Sequence, residues 1–405
     1  MSLFAKPDPT ILHRPFTGMP GWLILLGVLT AVGSLSVDMY LPSFPAIVEA
    51  LHTDAGSVQR TLSMFFIGLG SGQLLYGPLS DRFGRKPPLL FGMALYTLAS
   101  LICMLAPSIE ALQSGRLLQA LGGCAGIIIP RATIRDRCDA MSAARALSLV
   151  VLIMGAAPIL APLLGSVVLH WLNWRAIFGV LALFGFLSLG AIYFGMEETV
   201  DRTLAPRLNI QSVFRNYREL ICDRHFLTFS LCGSFASAGM FSYIAGSPFV
   251  LMDHYRVSAQ TYAWVFGTNA VGLVIGSQIN ARLLSHYSPR KILSYAVVIP
   301  SLAGAVILLS RLGDFACLPI LLPALFMAVS SLGFITPDST ALALQHQGAR
   351  AGAATALLGA MQLGLATVSS AAMSWWSIDA EISLGAIILC CGVGALAAQR
   401  FSPRE

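Results

Sequence analysis

Charge is scarce in this sequence. Asp, Glu, Lys and Arg make up only 11% of the 405 residues, against about 25% in a soluble domain, too few to cover a water-facing surface. ATP-driven chemistry finds no support, because no G-x-x-x-x-G-K-[ST] loop is present to cradle phosphates, and no H-E-x-x-H offers a hydrolytic metal site. The eight cysteines form no C-x-x-C and have no histidine partners at ligand spacing, and several lie inside apolar stretches, so they read as small buried hydrophobes. The seven histidines are scattered near the ends of apolar stretches and read as interfacial residues. No short apolar segment with a small-residue cleavage site follows Lys6 and Arg14, so a cleaved signal peptide is not expected. Segments of about ten alternating residues, the mark of a membrane barrel, are missing too.

Long apolar runs are present instead. Hydrophobic residues make up 56% of the chain, and mean hydropathy is +0.75. Gly21 to Val37, Thr61 to Ser80, Phe226 to Met252 and Gly352 to Ile378 contain no charged residue, and helices of about 20 apolar residues cross a bilayer. Twelve spans are expected: 21–45, 57–78, 88–106, 109–131, 142–170, 174–196, 225–252, 261–283, 291–310, 315–338, 349–373 and 382–400. The implied organisation is an N-terminal tail (1–20), a six-helix half (21–196), a polar linker (197–224), a second six-helix half (225–400) and a short C-terminal tail (401–405).

The net charge of +6 is a topology signal rather than a nucleic-acid footprint, because the basic residues sit in short loops between spans. With both termini on the cytoplasmic side, 20 of the 25 Lys and Arg fall inside, four outside and one, Arg116, within a span. Translocation of basic loops is disfavoured, so cytoplasmic termini are expected. Leu79, Ser80, Arg85 and Lys86 recur as Leu284, Ser285, Arg290 and Lys291, each set after the second span of its half. Such a repeat suits two bundles with a cavity between them.

Four segments carry chemistry. The loop Gly77 to Pro87 reads GPLSDRFGRKP. Its Gly77 is expected to let two helix ends approach closely, Asp81 to face a helix N-terminus, and Arg85 to pair with Asp136. Arg82 and Lys86 complete a cluster able to latch one side closed, although the same residues also suit a plain positive-inside anchor. Asp38 in span 1 and Arg116 in span 4 sit at similar depths, roughly 10 Å and 9 Å from the outer ends of their helices. Ionisable groups inside a membrane are functional by default, which marks these two as a proton-linked pair. The alternative is that Asp38 caps backbone opened by Pro42 and Arg116 snorkels outward. Span 5 carries GAAPILAPLLG, in which Pro158 and Pro162 remove helical hydrogen bonds and Gly155 and Gly165 permit close packing. In span 10, Asp338 either adds a second protonatable group or caps span 11.

GPLSDRFGRKP resembles the signature loop of the major facilitator superfamily, RLLQALGG its fourth-helix motif and GAAPILAPLLG its antiporter motif, though Ala161 and Ser166 stand where that family favours glycine. DMYLPSFP, RATIRD and FASAGMFSYIAGSPFV extend the likeness to the Bcr/CflA type of drug-resistance exporter. The resemblance implies an all-α membrane protein of twelve helices in two pseudo-symmetric bundles, with spans 1, 4, 7 and 10 lining the cavity. It implies a monomer in the bacterial inner membrane, needing no cofactor, that exports small amphipathic molecules such as bicyclomycin-like antibiotics against an inward flow of protons. Asp38 and Arg116 would couple protons, and Tyr40, Gln119, Phe241, Tyr243 and Asp338 would contact substrate. A proton-coupled importer of a small nutrient is the alternative. A receptor is disfavoured, since no loop exceeds about 30 residues, too short for a soluble output domain.

Overall fold

The computed structural model describes residues 21–138, 140–199, 210–375 and 379–402. The tail 1–20, linker residues 200–209 and the last three residues lie outside the described set. Among the described residues every regular element is helical, as an unbroken apolar chain requires in a medium with no water to satisfy backbone groups.

A helix stands at each of the twelve expected spans, and ten of them are long and apolar enough to cross a membrane. Span 1 covers Gly21–Ala50, span 2 Ala55–Phe83, span 3 Lys86–Met104, span 4 Ile109–Arg137, span 5 Ala140–Trp171 and span 6 Trp174–Gly195. Span 7 is Arg224–His254, span 8 Ala259–Leu283, span 9 Pro289–Leu312, span 10 Leu318–Leu344, span 11 Ala351–Trp375 and span 12 Ala380–Arg400. Several run past their expected ends, because the helices continue through polar residues beyond the apolar run. Span 10 is the clearest correction: it extends six residues beyond Asp338, which is therefore interior and caps nothing on span 11. The linker holds a further amphipathic helix, Ile210–Cys222, whose Glu219 pairs with Arg350 at 2.7 Å. Polar composition had marked that segment only as a loop.

Side-chain caps fix where spans begin. Asp54 accepts from the Ser57 amide at 2.8 Å, Ser108 from Ala111 at 3.3 Å, Asn173 from Ala176 at 3.1 Å and Asp223 from His225 at 2.9 Å, satisfying amides that a helix start leaves unpaired. Span 1 is interrupted where it matters most. Pro42 and Pro45 cannot donate to the carbonyls of Asp38 and Leu41, four residues earlier. The α-helix accordingly stops at Asp38 and resumes at Phe44 through a short 3-10 turn.

Spans 1–6 and spans 7–12 form the two halves. The halves meet along two seams, span 2 against span 11 and span 5 against span 8, which the internal repeat relates to one another. The seams are closed on the face away from the Gly77–Pro87 loop. There Gln59 Nε2 donates to the Ala245 carbonyl at 3.4 Å, the Ser63 hydroxyl donates to Ser370 Oγ at 3.1 Å, and the Phe44 and Phe249 rings lie 5.6 Å apart. Toward the loop face the seam thins: Gln73 still packs on Gly359, but side chains at Gly77 and Gly352 would meet nothing within 4 Å. The expectation that Gly77 enables a close helix approach is thus corrected, since its neighbourhood is open.

Candidate functional site

A cavity of about 270 Å³ lies between the halves. Span 1 contributes Thr30, Ser34 and Asp38, span 7 Phe241 and Tyr243, span 8 Asn269, and spans 2, 4, 5 and 10 add apolar surface. The expected spans 1, 4, 7 and 10 are joined by 2, 5 and 8. Most of the wall is hydrophobic, including Phe66, Met154, Met240 and Phe266. Flexible methionines and broad aromatic faces bind varied amphipathic shapes with few fixed contacts.

Asp38 is the one acidic side chain on this wall and is only 4% exposed. It ends the second helical segment of span 1, Val32–Asp38, where the helix dipole disfavours an anion, and the Ser34 side chain one turn earlier interacts with its carboxyl. Across the cavity, Asn269 Nδ2 donates to the Tyr243 hydroxyl at 2.8 Å, and the Ser247 hydroxyl bonds Tyr262 at 3.1 Å. Asn269 escaped sequence reading; an amide inside an apolar span was its only signal.

Arg116 does not pair with Asp38. It is fully buried within the N-terminal half, where Nη1 donates to Gln119 Oε1. Gln119 in turn donates to Ser100 Oγ at 2.7 Å. The guanidinium lies 4.1 Å from the Phe65 centroid, 4.9 Å from Tyr40 and 5.8 Å from Phe178. Aromatic faces thereby replace the carboxylate expected from matched depth. The matched depth expected from the sequence did not bring the two charges together.

Phe241 and Tyr243 line the cavity as expected; Tyr40, Gln119 and Asp338 do not. The Tyr40 ring packs on Phe44 and Phe178, with its hydroxyl 3.1 Å from Thr61 Oγ1, in the plug that closes the far face. Gln119 serves Arg116 and Ser100, and Asp338 lies deeper in the C-terminal half beside Asn280. Gly155 and Pro158 of span 5 reach the cavity. Gly165 packs directly on the Met39 carbonyl, so a Cβ there would strike backbone at the interruption of span 1. Pro162 sits one turn after Pro158 within the same helix.

The signature-loop residues form a dense cluster. Arg85 donates to Asp81 at 2.6 Å, to Asp136 at 2.7 Å and to Ser80 at 2.8 Å. Burial alone would lower the Arg85 pKa, but hydrogen bonds and charges from Asp136 and Asp81 outweigh it and leave it raised. Glu198, a partner that sequence reading missed, accepts from the Arg85 and Lys86 amides at 2.8 and 3.2 Å. Gly84 makes the turn with φ of +88°, a region open to glycine. Lys86 Nζ bonds the Tyr193 carbonyl at 2.8 Å, and Arg82 is half-buried. Asp81 pairs with Arg85 rather than facing a helix N-terminus. These partners of Arg85 and Lys86 all belong to the N-terminal half, so among the described residues the cluster braces spans 2, 3 and 4 and the end of span 6.

A twelve-helix, two-half membrane bundle with a cavity at the interface and this loop has the architecture of a membrane transporter. The chain belongs to the Major Facilitator Superfamily, matching it over residues 26–372; it is a multi-pass membrane transporter and not an enzyme. It is 35% identical over 394 residues, covering 96% of this chain and 97% of the relative, to the "Uncharacterized MFS-type transporter YdgK" of Bacillus subtilis. It is 28% identical to the "Bicyclomycin resistance protein homolog" of Haemophilus influenzae, covering 88% and 90% of the two chains. The crystal structure of a D-xylose-proton symporter shares the fold, with a TM-score of 0.71 at 16% identity over 94% of this chain and 98% of that one.

Proposed function

We propose that the protein is a proton-driven antiporter that exports small amphipathic molecules, including antibiotics, across the bacterial inner membrane. The observation that carries this reading is Asp38: a buried carboxyl on the wall of a largely apolar cavity, at the point where span 1 is broken. A carboxyl so placed exchanges its proton with whatever occupies the cavity, and a cationic or polar substrate competes with that proton. The resistance name carried by the relative from Haemophilus influenzae points the same way. Import of a sugar or carboxylate would ask for more fixed polar groups than Asp38, Ser34, Asn269 and Tyr243 provide.

Basic residues in loops set both termini in the cytoplasm. The cavity is then sealed on the outer face by Tyr40, Phe44 and Phe249, which are at most 5% exposed. In the cycle, Asp38 takes a proton from outside, carries it to the inward-facing state and yields it as substrate binds. Arg116 keeps a permanent charge near span 1 that an ionised Asp38 meets only in another conformation. The protein works as a monomer without a cofactor. A drug-susceptibility panel in an efflux-deficient host tests the reading: the protein should raise tolerance to several unrelated amphipathic compounds, and Asp38→Asn should abolish the gain. Unchanged tolerance across the panel, with growth on a single nutrient instead, would favour import.

A further inference from the structure

Asp338 and Asn280 face each other inside the C-terminal half, away from the cavity. Asn280 Nδ2 donates to Asp338 Oδ1 at 2.8 Å. Both residues are buried, at 1% and 2% exposure. Two oxygens of this pair have no protein donor, Asp338 Oδ2 and Asn280 Oδ1. A carboxylate in this place would keep a buried charged oxygen with no donor, and the amide bonded to it would keep an acceptor with none. A carboxylic acid satisfies both at once: its O–H donates to the Asn280 carbonyl while the amide N–H donates to the acid carbonyl, closing the cyclic acid–amide pair. The unpaired atoms are the two that one added proton would join.

Nothing charged on the neighbouring helices offers another solution. Spans 7, 8 and 9 pack on span 10 and span 11 touches it; span 11 carries no ionisable side chain, and Arg350 just before it pairs with Glu219. His225 of span 7 spends its ring nitrogen on the Leu342 carbonyl at 3.0 Å, and Arg282 of span 8 is exposed. In span 9, Arg290 bonds Ser402 at 2.9 Å and Lys291 lies over the Tyr287 ring. Ser230 and Ser234 of span 7 are buried hydroxyls without partners. Asp338 lies six residues, about 9 Å, before the end of its helix at Leu344.

We infer that Asp338 holds a proton in this conformation, shared with Asn280, and is a second proton site in the C-terminal half, independent of Asp38. Its role in coupling rests on the antiporter reading; its protonation does not. Movement of span 8 against span 10 would part the acid from the amide and release the proton, giving each half its own proton-sensitive contact.

The test is infrared spectroscopy of the purified, reconstituted full-length protein in the carboxyl C=O stretching region at neutral pH. The wild-type minus Asp338→Asn difference spectrum should show a protonated-carboxyl band belonging to Asp338, and that component should persist in Asp38→Asn. In Asn280→Leu the band should move to higher frequency, because the acid carbonyl loses its donor; this second variant reads the contact itself. Spectra of wild type and Asp338→Asn that superimpose would overturn the inference, as would an unshifted band in Asn280→Leu. These spectra are recorded without substrate, so failure of the export reading would leave the band in place, and loss of the band would leave export by Asp38 untouched.

Discussion

The guanidinium carbon of Arg116 lies 4.1 Å from the centre of the Phe65 ring, and its Nε and Nη2 have no hydrogen-bond partner. A fully buried cation is thus held by π-faces and a single amide. Arg116→Lys keeps the charge but loses the flat stacking surface, and transport should fall strongly while the protein still folds. Phe65→Leu removes one face, worth about 0.5–2 kcal/mol, and should lower the melting temperature in detergent modestly. Arg116→Leu should fold at least as stably, since it removes an uncompensated buried charge, yet fail to transport. Full transport by Arg116→Leu would show that the cation has no part in the cycle.

The signature cluster makes an ordering prediction. Asp136 has 27% of its side chain exposed and Asp81 58%, and exposed ion pairs contribute little. Asp136→Asn should therefore destabilise by about 1–3 kcal/mol, and Asp81→Asn by less than about 1 kcal/mol. Thermal unfolding of the two variants in one detergent checks the order. Asp81→Asn should nevertheless slow turnover much more than it weakens substrate binding, because the loop acts on the conformational cycle. Equal loss of both would reduce it to a folding support.

Two glycines should respond in opposite ways. At Gly165 a methyl group meets the Met39 carbonyl, which is backbone and cannot swing aside, so Gly165→Ala should cost about 1–3 kcal/mol and impair transport by shifting span 1 against span 5. Gly77→Ala meets open space and should be nearly neutral for stability. Thermal unfolding and efflux rates of the pair decide it, and a harmless Gly165→Ala would refute the close-packing account.

Topology is tested by labelling. A thiol introduced by Ser212→Cys in a cysteine-free background should resist impermeant reagents in intact cells and react after lysis. Labelling in intact cells would invert the orientation drawn from the basic residues.

Span number, the two halves and the signature-loop pairing of Arg85 with Asp136 were legible in the sequence, because each depends on composition, spacing or charge alone. The direction in which a side chain leaves its helix was not. Arg116 turns to the rings of Phe65 and Phe178 rather than to Asp38, a rotation of span 4 that spacing along one helix cannot give. Tyr40 resembles a cavity residue by position, yet beside the Pro42 interruption it joins the plug on the face away from the Gly77–Pro87 loop. Asp338 looked like a helix end because the apolar run stops there, while the helix itself continues to Leu344. Glu198 and Asn280 are partners brought from other spans, and nothing in their local sequence announces the contact.

Coupling through Asp38 is tested most directly by substrate-induced proton release from the purified protein, measured with a pH-sensitive dye in weak buffer using a compound identified by the susceptibility panel. Wild type should release protons when the compound binds. Asp38→Asn, which mimics the protonated side chain permanently, should bind the compound and lose that release, whereas Asp338→Asn should retain the Asp38-dependent release. If Asp38→Asn releases protons as wild type does while Asp338→Asn releases none, coupling resides in span 10 and the role given to Asp38 is wrong.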